Sequence, residues 1–246
     1  MQTLRKLAAT IAQQTALQKL TETYEDMAVF NMQQIRQQVL DSRQFLEGVS
    51  EIYHAAKTAY LAQIPATLSR RALDSELTFI LRNRKTVVVL ISGNEPLLGN
   101  ILLETYKVFL ELLRNIGAEV VVCGRIGRYL ATHARPALAF AYFDIDDYKI
   151  DGQQVDKIVN LISQFSKILV VYPRFDSVLV QVPQIDDVSG GVSLEQAAVS
   201  GRKYYFEPSA FAVMSYFEGQ IIKILFEQKL LEAMLARFSA RLTVMD

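Results

Sequence analysis

Residues 1–47 contain no glycine and no proline; the first glycine is Gly48 and the first proline is Pro65. A run that long without a helix breaker admits few structures. Its apolar residues recur at Leu4, Leu7, Ile11, Leu17, Leu20, Tyr24, Met27, Ile35 and Val39, then Leu46, Val49 and Tyr53. Most steps are three or four, the pattern of one helix with a single buried stripe. At ~1.5 Å per residue the helix is a rod of roughly 70 Å. Such a rod overhangs any domain of this size and needs a partner along its stripe.

The C-terminus offers that partner. From Pro208, well placed at a helix start, the chain runs to Asp246 with Gly219 as its one weak point. Phe211, Met214, Phe217, Ile221, Ile222, Leu225, Leu230, Leu231, Met234, Leu235, Phe238 and Leu242 supply its apolar positions. Two terminal helices of matching character predict an antiparallel coiled coil. The alternative is two helices folded flat on the middle of the chain.

Between them, strands and helices alternate. The expected order is strand Lys85–Ser92, helix Leu97–Ile116, strand Ala118–Cys123, short helix Arg125–His133 and strand Ala137–Phe143. Helix Gly152–Phe165 and strands Ile168–Tyr172, Ser177–Val182 and Lys203–Glu207 follow. "TVVVLIS", "AEVVVC" and "KILVVY" are apolar throughout, so these strands have helices on both faces. The expected fold is an α/β chain in which a Rossmann-like domain, residues 61–207, is inserted between long helices at residues 1–60 and 208–246. The helices pair as an antiparallel coiled coil.

Composition narrows the function. Basic and acidic residues number 26 each, so no broad nucleic-acid or lipid surface is implied. Cys123 is the only cysteine, which rules out an intramolecular disulfide and suits a reducing compartment. The first thirty residues are polar and helical in pattern, unlike a secretory signal. Apolar runs such as Val87–Ile91 fall far short of a membrane span.

The strand–loop–helix unit "KTVVVLISGNEPLLGNILLETYKVFLELL" raises the question of a nucleotide. A P-loop needs G-x-x-x-x-G-K-[ST]. Here five residues separate Gly93 from Gly99, and Asn100 and Ile101 stand where Lys and Ser/Thr belong. The G-x-G-x-x-G of a dinucleotide loop is absent as well, and Glu95 would repel phosphate. "CGRIGR" at Cys123–Arg128 reads as an ordinary glycine turn. Asp144, Asp146, Asp147 and Asp151 lack calcium-loop spacing and read as a solvated acidic loop. His54 and His133 lie too far apart in sequence to make a metal site alone, and no Ser–His–Asp or Cys–His set can be drawn. These residues offer no catalytic, cofactor-binding or metal site. A compact head with two long arms reads as a mechanical or scaffolding part.

Taken in order, these segments resemble the gamma subunit of the F-type ATP synthase, its central rotor shaft. "LQKLTETYEDMAVFNMQQIRQQVLDSRQFLEGV" is similar to that family's T-x-K-I-T-x-A-M-x-M-V-A-x-x-K and following S-R-P, with Leu17, Lys19, Leu20, Thr21, Met27, Ala28 and Ser42–Arg43 in register. Ser92 and Gly99 match its S-D-R-G-L-C-G-G loop. Phe175, Gln181 and Pro183 match its strand pair. Tyr204, Phe206, Glu207 and Pro208 match Y-x-Y-E-P, and Glu218, Gln220, Glu227, Ala236 and Arg237 match its last helix.

The resemblance implies a non-catalytic rotor needing no cofactor, with an α/β head that is not a nucleotide site. It implies arms zipped through Leu20, Met27, Ile35, Leu225, Leu231 and Phe238, and a foot of Tyr204, Phe206 and Glu207 facing the membrane rotor ring. The implied partners are the alpha and beta subunits of the catalytic ring, an epsilon-type subunit and the membrane ring, with no nucleic acid. The implied location is peripheral, on the cytoplasmic side of the membrane, within a proton- or sodium-translocating complex. Three departures accompany it. One glycine of the family loop is clearly kept. Charges on residues 1–47 cancel where family shafts are basic. The family's last helix continues roughly 40 residues, or ~60 Å, past the point this chain reaches. A gamma-like adapter that does not rotate, and a nucleotide-binding α/β protein, remain the alternatives.

Overall fold

A computed structural model describes residues 2–63, 83–134, 137–189 and 204–245. The breaker-free N-terminus forms one helix, α1 (Gln2–Gln63), of 62 residues. Then come β1 (Asn83–Ile91), α2 (Ile101–Asn115), β2 (Ala118–Cys123), α3 (Arg125–Thr132) and β3 (Ala141–Phe143). They are followed by α4 (Gly152–Ile162), β4 (Phe165–Phe175), β5 (Gln181–Asp187) and α5 (Ala210–Met245).

The strands form one sheet in the order β3-β2-β1-β4-β5. β1 pairs in parallel with β2, Val88 opposite Val120, and with β4, Val88 opposite Leu169. β3 adds to β2 in parallel, and β5 returns antiparallel along β4. The pleat divides each apolar strand between two cores. Val88, Leu90, Val120, Val122, Leu169 and Val171 face α2 and α3, where Tyr106, Phe109 and Ala131 cover them. Val87, Val89, Ile91, Val121, Ile168, Val170 and Tyr172 face α4 and the two terminal helices.

Those terminal helices satisfy both readings of the sequence. They are antiparallel: the Tyr60 ring lies 5.5 Å from that of Phe211, and Arg43 reaches Glu232 at 2.9 Å. Further along, Ile35 and Val39 pack with Met234, Leu235 and Phe238. Their lower halves also lie flat on the sheet, through Val49, Tyr53 and Ala56 of α1 and Ile221, Ile222, Leu225, Phe226 and Leu230 of α5. Each fully buried side chain of that size stabilises the contact by about 1.5–3 kcal/mol.

The local differences have local causes. The helix expected from Leu97 begins at Ile101, because Leu97 (φ 66°) and Gly99 (φ 58°) are left-handed. The strand expected at Ser177–Val182 is mostly a turn whose Leu179 is 76% exposed; the strand that follows, β5, is polar and carries Pro183, as an edge strand tolerates. The strand expected from Ala137 is only Ala141–Phe143, and α4 stops at Ile162 rather than Phe165. Tyr204–Phe206 have no regular structure, and Lys203 lies outside the described residues.

Candidate functional site

In a doubly wound sheet the ligand crevice opens beyond the carboxyl ends of the strands where chain order reverses. Here that point is the end of β1, between β2 and β4, and the loop beyond it begins at Ser92. The hydrogen-bonding groups of this loop are taken up within the chain. Ser92 Oγ donates to the Cys123 carbonyl at 2.7 Å and accepts from the Gly127 N–H at 2.9 Å. The Asn94 side chain accepts from the Arg125 N–H at 2.8 Å, at the start of α3, and donates to the Ile145 carbonyl at 2.6 Å. The N–H groups of Asn94 and Glu95, the donors a phosphate would use, both go to Asp147 Oδ2, at 2.8 and 3.0 Å. Asp147 therefore fills the anion position with the chain's own carboxylate.

"CGRIGR" explains itself in this setting. Gly124 has φ 94°, and a Cβ on either Gly124 or Gly127 would stand 2.6 Å from Ser92 Oγ. The two glycines let α3 start against the β1 loop.

Behind Asp147 stands α5. Arg237 is 5% exposed, and its Nη1 donates to the Ser92 carbonyl. Its Nη2 lies 3.4 Å from Asp147 Oδ1. Burial pulls the guanidinium below its ordinary value, and the Asp147 charge opposes that pull. One turn on, Arg241 pairs with Glu95 Oε2 at 2.9 Å and donates to the Tyr148 hydroxyl at 3.0 Å. Tyr148 in turn donates to Glu95 at 2.7 Å. Burial raises the Tyr148 phenol, and the hydrogen bond to Glu95 adds to this.

The space left beside the loop is a cleft of about 310 Å³ lined by Asn94, Glu95, Arg125, Asp144, Asp146, Asp147, Tyr148 and Gln154. Four carboxylates against one arginine repel a phosphate rather than attract it. The acidic loop is thus less solvated than its sequence suggests. Asp147 is buried, Asp144 pairs with Arg125 at 3.3 Å, Asp146 accepts from the Tyr148 and Lys149 N–H groups, and Asp151 caps α4.

A second polar cluster ties α5 to the sheet nearer the other end. Glu232, 4% exposed, accepts from Arg43 Nε and Nη2 at 3.2 and 2.9 Å. The hydroxyl of fully buried Tyr172 lies 2.9 Å from Glu232 Oε2 and 2.8 Å from Asp186 Oδ2, so two carboxylates share one donor. Lys229 completes the charge balance at 2.7 Å from Asp186. Burial, then the neighbouring Glu232 and Asp186 charges, push the Tyr172 phenol far up.

The residues expected in the arm seam divide. Ile35, Leu225 and Phe238 are buried and Leu231 packs beside Phe238. Leu20 and Met27 are 53% and 46% exposed and form no such seam. They line a groove of about 780 Å³ between α1 and the head residues Glu95 and Tyr148. At the foot, the Tyr204 hydroxyl donates to Glu51 at 2.5 Å and Phe206 packs against the core, while Glu207 is exposed. Tyr205, not singled out from the sequence, is 95% exposed. Arg237 entered the sequence reading as a family match, without a role. Its signal was position, since it falls among the apolar residues Met234, Leu235 and Phe238, in a segment from Glu232 to Arg241 that is buried throughout.

A Rossmann-like head whose ligand crevice holds its own C-terminal helix, with a helical arm running on beyond it, defines a head-and-shaft protein. A family model described as ATP synthase matches residues 3–246. The chain belongs to that family, the ATP synthase gamma subunits. No curated protein matches it. A chain in the cryo-EM structure of the Tetrahymena thermophila mitochondrial ATP synthase central stalk and c-ring superposes with a TM-score of 0.62. That pair shares 14% identity, over 92% of this chain and 97% of that one. The rotor of the Euglena gracilis mitochondrial ATP synthase gives 0.49 at 10% identity, over 90% of this chain and 89% of that one. At 14% identity the likeness to the Tetrahymena chain is one of fold.

Proposed function

We propose that this chain is the non-catalytic central-stalk rotor subunit of a rotary ATP synthase. It couples ion-driven rotation of a membrane ring to ATP synthesis or hydrolysis in a ring of alpha and beta subunits. The observation that carries this reading, beyond family membership, is the pairing of a self-occupied crevice with a projecting arm. The arm, residues 2–27 of α1, is roughly 40 Å of helix that carries a line of exposed apolar side chains. Its exposed Leu7, Ile11, Leu17, Leu20 and Met27 need a covering surface, which the ring supplies. The foot at Tyr204–Glu207 faces the membrane ring, beside an epsilon-type subunit, and the complex holds the chain at the membrane. No described helix is long and apolar enough to cross one. In this reading residues 1–60 and 208–246 act as the shaft and residues 61–207 as the head.

Co-expression with cognate alpha and beta subunits tests it, followed by mass determination of the purified complex. One copy of this chain held in a six-membered ring is the expected result, with no ATP turnover by the isolated chain. A chain that stays alone beside an assembled ring overturns the reading.

A further inference from the structure

A rotor transmits torque only if head and shaft turn as one body, and the role of the contacts between them rests on this chain being such a rotor. Apolar burial holds α5 on the sheet, but it is non-directional, so it sets the angle of the helix about its own axis less sharply than a polar contact does. Hydrogen bonds and close ion pairs are directional and resist a roll of the helix. α5 makes several, Lys223–Asp156, Lys229–Asp186 and Arg241–Glu95 among them, and in two places a buried charge of α5 meets a buried partner. Arg237 is fixed to the β1 loop through the Ser92 carbonyl and the Asp147 carboxylate. Glu232 is fixed to β4 through Tyr172 at 2.9 Å and to α1 through Arg43 at 2.9 Å.

The two anchors differ in height and in direction. Five residues separate them, ~7.5 Å along the helix and about 140° around it. A roll of α5 in either sense therefore strains at least one anchor, and a tilt strains both. Arg237, Asp147, Glu232 and Tyr172 are all buried, so water and salt compete poorly for these contacts. We infer that Arg237 and Glu232 are the positioning residues that set and hold the rotational angle of the shaft on the head. The crevice that other sheets of this shape give to a ligand is used here as the socket for the upper anchor.

Spin labels on Lys107→Cys in α2 and Val244→Cys in α5 test this in the full chain, because both sites are exposed and the native Cys123 is buried. The variant is Arg237→Met with Asp147→Asn. Replacing both members of a buried pair leaves stability close to native, which separates loss of the anchor from unfolding. The expected result is a narrow label–label distance distribution in the native chain, broadened in the double variant and narrowed again by Arg237→Lys, which keeps the charge facing Asp147. In the assembled complex the same variant should lose ion transport per ATP hydrolysed. An unchanged distance distribution in the folded double variant overturns the inference. So does an unchanged transport ratio. A native chain that fails to enter the catalytic ring tells against the rotor reading instead, and the label distances still decide the anchor.

Discussion

Arg237 and Asp147 face one another at 3.4 Å with each side chain 6% exposed, one from the C-terminal helix and one from the loop beyond β3. The pair closes the crevice at the end of β1. Removing one member leaves a buried charge unmatched, which costs more than the pair contributes. Arg237→Ala should therefore destabilise the chain by about 3–5 kcal/mol. Asp147→Asn combined with it should recover most of the loss. Urea denaturation of the two variants measures both, and equal losses in single and double variants would contradict the account.

The two glycines of α3 make a sharper steric prediction. A Cβ on Gly127 meets Ser92 Oγ at 2.6 Å and Val122 Cγ1 at 3.0 Å. Gly127→Ala should cost about 1–3 kcal/mol, the usual range for overpacking. Ser92→Ala in the same chain removes the closest atom, so the double variant should be less destabilised than the sum of the singles. A double-mutant cycle reads that coupling directly.

How much of this was legible in the sequence depends on the kind of signal. β1, β2 and β4 announced themselves because their central runs, Val87–Ile91, Val120–Cys123 and Ile168–Tyr172, are apolar and buried on both faces. α1 was legible because nothing in residues 1–47 can break it. "SVLV" misled because an apolar run marks a strand only when it is buried, and this one tips a hairpin. Arg237 and Asp147 were quoted without the role they play. Charged residues usually mark a solvated face, and their partners are 90 positions apart. Leu20 and Met27 fit the helical stripe, but periodicity does not report which positions of the stripe another part of the chain covers.

The acid dependence of stability should have two opposed contributors. Burial pushes the Asp186 carboxyl up, but the hydrogen bond from Lys229 and its other donors outweigh this and leave it below the ordinary value. A lowered folded pKa gives stability that is full above the unfolded value near 3.8 and lost as pH falls through the folded one. Asp186→Asn should flatten that acid limb. Glu227 is raised by burial, with Lys223 opposing. Its contribution is present below the unfolded value and lost as pH rises through the folded one, so Glu227→Gln should stabilise the chain at neutral pH. Denaturation midpoints from pH 2.5 to 7, stepped by half a unit, check both signs.

Cys123 offers a clean probe of opening. Burial raises its thiol to about 12, and it lies on the core side of β2. Only the opened chain presents a reactive thiolate. Labelling by a thiol reagent should therefore be slow in the native chain and follow the unfolding equilibrium as denaturant rises. Fast labelling without denaturant would mean that a local opening uncovers β2 independently of the rest of the core.

The two ends of α1 should separate stability from assembly. Ile35 is 5% exposed and packs against Phe238 and its neighbours, so Ile35→Ala should cost about 2–5 kcal/mol in the isolated chain. Leu20 is 53% exposed, so Leu20→Gln should stay within about 0.5 kcal/mol. Leu20 nevertheless lines the groove between the arm and Glu95, the surface that a ring closing around the arm would meet. Leu20→Gln should therefore weaken recovery of the chain with alpha and beta subunits while its denaturation curve overlays the native one. If Leu20→Gln is recovered with the ring as well as the native chain, the groove is not part of the ring contact. If it unfolds early, α1 draws stability from its projecting half, and the division of labour along the helix is wrong.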